Sequence, residues 1–260
     1  MTRPASAFHT EKQRLTDGTA YTMGQYRYRV GLWTMDYGLF KPFDVTTWIL
    51  PWALQVASLG GKYELRLSDK LSVGTGLTAF RLDVRKLNPN SPKLILSAVP
   101  WEVSGSYRVD KDWTVSLQSV YTYIRAEGTL DKDETFGAAA LSNLQFVGTV
   151  EKRVSEVMAL LLRVRWVAYQ WPLSASAKVV SHPDDYTTLT IVGTGRAEVF
   201  DVRNAWSIVP GVAWSWKHFN LRAGLGYGNF NIGGINVVLQ KKTIVPELDL
   251  FWLWDLGPNQ

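Results

Sequence analysis

The chain has 260 residues and no cysteine, which excludes a disulfide framework, a thiolate metal site and a cysteine nucleophile. Histidine is almost as scarce. His9, His182 and His218 stand far apart, without the short spacing that lets two imidazoles share a metal. No metal site and no cofactor is expected. No apolar run approaches the ~18 residues of a transmembrane helix; Val157–Leu162 is about the longest. The opening Met1-Thr-Arg-Pro-Ala-Ser-Ala7 lacks the apolar centre of a secretory signal, so a mature chain whose signal has been removed is the expectation. The formal charge of +5 is not gathered into a basic run, and without one a nucleic-acid footprint is not expected.

Aromatic residues are plentiful. Twelve tryptophans and eleven tyrosines sit in a chain whose mean hydropathy is −0.07. That combination calls for an amphipathic place to put rings, such as a membrane interface. A soluble β-sandwich with surface aromatics is the competing explanation.

The side chains alternate with period two along most of the chain, the signature of β-strands with unlike faces. Leu71, Val73, Thr75, Leu77 and Ala79 alternate with Ser72, Gly74, Gly76 and Thr78. Trp206, Ile208, Pro210, Val212, Trp214 and Trp216 alternate with Ser207, Val209, Gly211, Ala213 and Ser215. Such segments are longer than the ~5–6 residues of ordinary soluble strands and match the ~9–11 of a tilted membrane-crossing strand. Rings fall near segment ends, as two interfacial girdles require. Trp48, Trp113, Tyr121, Trp206, Trp214, Trp216, Trp252 and Trp254 are the expected lipid-facing girdle residues. Tight reversals at Ser68–Lys70, Asp110–Asp112, Arg153–Glu156 and Lys217-His218 alternate with longer polar links, the rhythm of short periplasmic turns and long external loops.

The pattern predicts an all-β fold: a closed antiparallel transmembrane β-barrel of about 12 strands, within a range of 10–14. Eleven strands are legible: about 22–34, 44–57, 61–68, 70–84, 94–109, 112–125, 141–153, 156–171, 204–216, 219–230 and 243–254. Single-chain bacterial barrels use even numbers, so one more is required. It is sought in Phe8–Thr16, with Asp17-Gly18 as its turn, or in Pro172–Arg203; otherwise the N-terminal segment threads the lumen. The organisation expected is an N-terminal segment 1–21 (periplasmic or lumen-threading), a barrel 22–254 with a long external loop 172–203, and a tail 255–260.

The hairpin Leu67-Ser-Asp-Lys-Leu71, the stretch Trp33–Asp44 with Tyr37-Gly-Leu-Phe40, and the last strand Glu247-Leu-Asp-Leu-Phe-Trp-Leu-Trp254 together resemble the small bacterial outer-membrane β-barrel proteins as a broad group. The resemblance implies an outer-membrane location and contact with membrane lipid and lipopolysaccharide. It also implies insertion by the barrel-assembly machinery, which reads a terminal strand of this kind.

With the apolar faces on lipid, the other faces line a lumen. That phase sends inward Arg27, Arg29, Lys62, Arg66, Arg108, Arg163, Arg165 and Arg222, against Glu64, Glu102, Glu151, Glu247 and Asp249. A water-filled lumen with this basic excess would pass small anionic solutes, as charged rings do in pores. The alternative is a narrow barrel closed by arginine–carboxylate pairs, with a structural or partner-binding role and loop 172–203 as the contact for another envelope protein. A third reading is an outer-membrane enzyme acting on lipid or polysaccharide. Neither His182, in a long loop, nor His218, in a tight turn, falls beside a serine motif such as G-x-S-x-G. Glu247 and Asp249 share a strand face, as an acid–base pair could, and also as partners for lumen arginines would. Gly224–Gly228 and Gly193–Gly195 lie in strand-like sequence without the following helix that a phosphate loop needs. The acidic link Ala126–Gly137 lacks the twelve-residue calcium pattern.

Overall fold

The computed structural model describes residues 17–49, 52, 56–83, 93–130, 135–184, 187–197, 202, 204–216, 218–232 and 237–257. Thirteen strands form one antiparallel sheet. In chain order they are β1 Arg27–Gly31, β2 Thr34–Phe40, β3 Phe43–Trp48, β4 Val56–Arg66, β5 Leu71–Asp83, β6 Lys93–Arg108 and β7 Trp113–Leu130. There follow β8 Thr135–Arg153, β9 Met158–Asp184, β10 Thr187–Ala197, β11 Trp206–Trp216, β12 Phe219–Ile232 and β13 Val237–Asp255.

Twelve of these close into a barrel, sealed by β13 against β1, where Arg27 faces Asp255 and Gly31 faces Phe251. β10 pairs only with the outer part of β9 and stands outside the closure. The strand that sequence periodicity missed is β2. The predicted segment 22–34 contains only β1, and β2 and β3 follow through tight turns. These three strands have only 5, 7 and 6 residues, so each face shows two to four side chains, too few for alternation to register. Phe8–Thr16, the other place where a strand was sought, lies outside the described residues.

One rim carries the tight turns at 41–42, 67–70, 109–112 and 154–157, together with the end of β11, the start of β12, the start of β1 and the end of β13. Side chains shape these turns. Ser68 Oγ accepts the Lys70 and Leu71 amides at 3.2 and 3.0 Å. Asp110 Oδ1 accepts those of Asp112 and Trp113 at 2.7 and 2.8 Å. The opposite rim is uneven. β1–β3 stop early, and the Val237–Pro246 part of β13 pairs only with β12 among the described residues. β8 and β9 run for 19 and 27 residues, pair as far as Thr135 with Val179, and continue into the β9–β10 hairpin. The stretch 172–203, expected as an external loop, holds this hairpin.

The distribution of side chains is inverted relative to a soluble protein. Leu59, Leu77, Leu117, Leu162, Leu225 and Ile244 are exposed on the outer face, forming an apolar belt far larger than a soluble monomer's surface tolerates. Ser72, Ser104, Ser106, Thr122, Gln145 and Asn220 are buried inside. Rings border the belt. Toward the outer rim Trp166 stacks on Phe146 at 6.0 Å and Trp206 meets Tyr227 at 6.2 Å; Tyr121 meets Trp171 at 5.6 Å. Toward the tight-turn rim Trp214, Trp216, Phe219 and Trp252 follow one another, with Trp254 on Tyr28 and Trp113 under Lys152. Trp206 and Trp216 are ten residues apart on β11. At ~3.3 Å per residue and ~40° of tilt this gives about 25 Å, the height of an outer-membrane apolar band.

Trp48 departs from the expected girdle. It shares a face with Asp44 and Thr46, meets the buried Phe80 edge-on at 5.9 Å, and points into the barrel.

Candidate functional site

The interior is built from the inward faces of all twelve barrel strands, and its most ordered feature is an ion cluster at mid-height. β1 supplies Arg29, β12 Arg222 and β13 Asp249, brought side by side by the β12–β13–β1 register. Arg29 Nη2 donates to Asp249 Oδ2 at 2.6 Å and Arg222 Nη2 to the same oxygen at 2.7 Å. Arg29 Nη1 also donates to both oxygens of Asp17 at 3.0 Å and lies 3.7 Å from Asp36. Arg222 reaches Asp17 as well. The Arg29 guanidinium lies 4.2 Å from the centre of the Phe251 ring, which is buried beneath it. One turn of the wall away, Arg163 Nη1 donates to both oxygens of Glu247 at 3.1 Å. Arg165 donates to Gln145 at 3.1 Å, and Gln118 to Glu102 at 2.5 Å.

Residues 17–24 lie inside the barrel on the tight-turn side of this cluster. They pair with no strand. Wall side chains take their main-chain groups instead: Lys62 Nζ donates to the Thr19 carbonyl at 2.6 Å, and the Ala20 amide donates to Ser106 Oγ at 2.7 Å. Above and beside the segment is a cavity of about 380 Å³, lined by Asp17, Gly18, Met23, Trp33, Trp48 and Glu102 among others.

Several predicted lumen residues meet here: Arg29, Arg163, Arg165, Arg222, Glu102, Glu247 and Asp249. Glu64 faces inward lower down, accepting from Ser72 Oγ at 2.8 Å and from the Thr22 amide at 2.9 Å. Two predicted lumen arginines, Arg66 and Arg108, belong to the rim instead. Arg27, near the rim, lies 3.6 Å from Asp255 and also reaches inward to the Met23 carbonyl at 3.2 Å. Arg66 is half-exposed and pairs with Asp69 of its own turn at 3.0 Å. Arg108 occupies the last register pair of β6 with β7, opposite Thr114.

Sequence reasoning missed three carboxylates, Asp17, Asp36 and Asp44. Asp36 and Asp44 sit on the short strands β2 and β3, and Asp17 belongs to no strand. The expected basic lumen is therefore corrected. Among the described residues Arg29, Lys62, Arg163, Arg165 and Arg222 share the interior with Asp17, Asp36, Asp44, Glu64, Glu102, Glu247 and Asp249, so there acids outnumber bases. Among the described residues no group of three or more His, Asp or Glu side chains is placed to hold a metal ion.

No protein-family model and no curated protein matches the chain. Solved structures similar to it in shape include a deletion mutant of the monoaromatic hydrocarbon channel TodX (TM-score 0.46, 10% identity, 92% of this chain and 68% of that one). The Ralstonia pickettii toluene transporter TbuX is similar at TM-score 0.44 and 11% identity, over 91% and 79% of the two chains. The translocator domain of the autotransporter NalP from Neisseria meningitidis is similar at 0.33 and 10%, over 87% and 85%.

The barrel's own features classify it. It has an even number of antiparallel strands, a closed wall, a lipid-height apolar belt between two aromatic girdles, and both strand termini at the short-turn rim. These are the marks of outer-membrane barrels, and the chain is a small bacterial outer-membrane β-barrel of twelve strands.

Proposed function

We propose that this protein is an outer-membrane channel for small solutes, with no preference for anions. The observation that carries the reading is the cavity of about 380 Å³ within the closed wall, lined by charged side chains such as Arg163 and Glu102 together with apolar ones such as Trp48, Val120, Val147 and Val209. A barrel serving only as scaffold has no reason to keep such a space, because a close-packed interior is more stable. The anion preference that an arginine-rich wall would give is not expected from an interior in which acids outnumber bases and Arg29, Arg222 and Arg163 are each held by carboxylates. Residues 17–24 lie inside the barrel against the cavity, and in this reading they obstruct the passage.

The test is conductance of refolded protein in planar bilayers, comparing the full chain with one lacking residues 1–24. The shortened chain is expected to conduct, with a reversal potential in a potassium chloride gradient showing no selectivity for chloride. Silence from a shortened chain that retains the heat-modifiable mobility of a folded barrel overturns the reading.

A further inference from the structure

The contacts of residues 17–24 with the wall have an unusual character. From Thr19 to Met23 they are made mostly between main chain on the segment and side chains on the wall, with Thr22 Oγ1 also within 3.0 Å of Glu64 Oε2 and 3.1 Å of the Lys41 carbonyl. The Thr19 carbonyl accepts from Lys62 Nζ at 2.6 Å and from Ser104 Oγ at 3.2 Å. The Ala20 amide donates to Ser106 Oγ at 2.7 Å. The Thr22 amide donates to Glu64 Oε2 at 2.9 Å, and the Met23 amide to Asp44 Oδ2 at 2.7 Å. The Met23 carbonyl accepts from Arg27 Nη1 at 3.2 Å. Side chains on β1, β3, β4 and β6 thus meet the main-chain groups of Thr19, Ala20, Thr22 and Met23, while the Tyr21 amide is taken within the segment by Thr19 Oγ1 at 3.3 Å.

The wall also reserves space for that chain. A Cβ placed on Gly74 would lie 2.8 Å from the Ala20 carbonyl oxygen and 3.1 Å from its Cα, and one on Gly38 would overlap the Gly24 carbonyl at 1.8 Å. Neither glycine has a backbone angle that other residues avoid. What these positions require is a missing side chain where the segment passes. At the far end of the track Asp17 docks on Arg29 and Arg222, a contact charged on both sides. The segment's other flank is not packed. Asp17, Gly18 and Met23 border the cavity, so there is room for displacement.

We propose that the inner wall is a receptor for a peptide main chain, with residues 17–24 as its removable occupant and Asp17 as the latch. The receptor is a property of the wall alone. The consequence that emptying it opens a passage rests on the channel reading above.

The experiment separates the two. The chain has no cysteine, so Thr19→Cys introduces a single thiol at a position that is 2% exposed. In the full chain, folded in liposomes, this thiol is expected to resist a water-soluble maleimide. Adding Gly74→Leu, or independently Gly38→Ala, should expose it to labelling; Gly105→Ala, where an added Cβ meets nothing within 4 Å, should not. In a second arm, a fluorescent peptide of the sequence of residues 17–24 is added to the chain lacking residues 1–24. Saturable binding is expected, weakened about tenfold or more by Asp17→Asn in the peptide. Rapid labelling of Thr19→Cys without a second change overturns the proposal. So does protection that survives both glycine substitutions in folded barrels, or failure of the peptide to bind. Labelling on Gly74→Leu without any conductance leaves the receptor standing and removes the channel reading alone.

Discussion

At the scale of single residues, Asp249 is the keystone of the interior, because one carboxylate oxygen holds two guanidinium groups, those of Arg29 and Arg222. Removing one member of a buried ion network leaves the others charged and unpaired, which costs about 3–5 kcal/mol. Asp69 makes the opposite case. Its pair with Arg66 is exposed on both sides, and such a pair is worth about 0–1 kcal/mol. Asp249→Ala is therefore expected to lower the unfolding free energy of the refolded barrel by about 3–5 kcal/mol, whereas Asp69→Ala should leave it within about 1 kcal/mol of wild type. Urea titration followed by tryptophan fluorescence reads both. Equal effects would mean that the cluster is hydrated like the rim.

At the scale of elements, the turns are set by short side chains. The Asp112 and Trp113 amides, donating to Asp110, hold its carboxyl below the usual carboxylate range. Since the folded-state pKa lies below the unfolded one, the stabilisation is present at neutral pH. It fades as pH falls from the ordinary aspartate value of ~3.9 through the lower folded value. Carbon-13 NMR of the barrel in micelles should show Asp110 titrating below ~3.9; titration at or above that value would mean that the two turn bonds do not form. Strands were legible where they are long. β5, β7 and β11 alternate over more than ten residues, and the faces read from sequence are the faces in the barrel. β2 escaped because a strand of 7 residues, between neighbours of 5 and 6, carries too little periodicity. The misplacement of Trp48 has a simpler cause. Its phase already put it on the face of Asp44, and ring chemistry was given more weight than parity. Asp17 had no periodic signal at all. The only hint of it was an apparent excess of buried arginines that needed countercharge.

At the scale of the whole molecule, the decisive property is that polar groups lie inside and apolar groups outside. This can be tested at one position. Leu162 on β9 faces outward and is 41% exposed. It pairs with Pro210 of β11, about midway between Trp206 and Trp216 and so near the middle of the apolar belt. If water surrounded the barrel, Leu162→Arg would be an ordinary surface substitution and would change stability by no more than about 0.5 kcal/mol. In a bilayer the same arginine sits at the hydrocarbon midplane, where it costs about 2–4 kcal/mol. The cost should shrink to about 0–1 kcal/mol when the arginine is placed at an interface instead, as in Trp216→Arg at the tight-turn girdle. The loss of several kcal/mol at Leu162 and its decline toward the girdle, measured by urea unfolding from lipid vesicles, is the signature of a wall solvated by lipid. A flat profile, with both substitutions near neutral, would require the belt to face water, and the twelve-stranded closure would then have to be explained without a membrane.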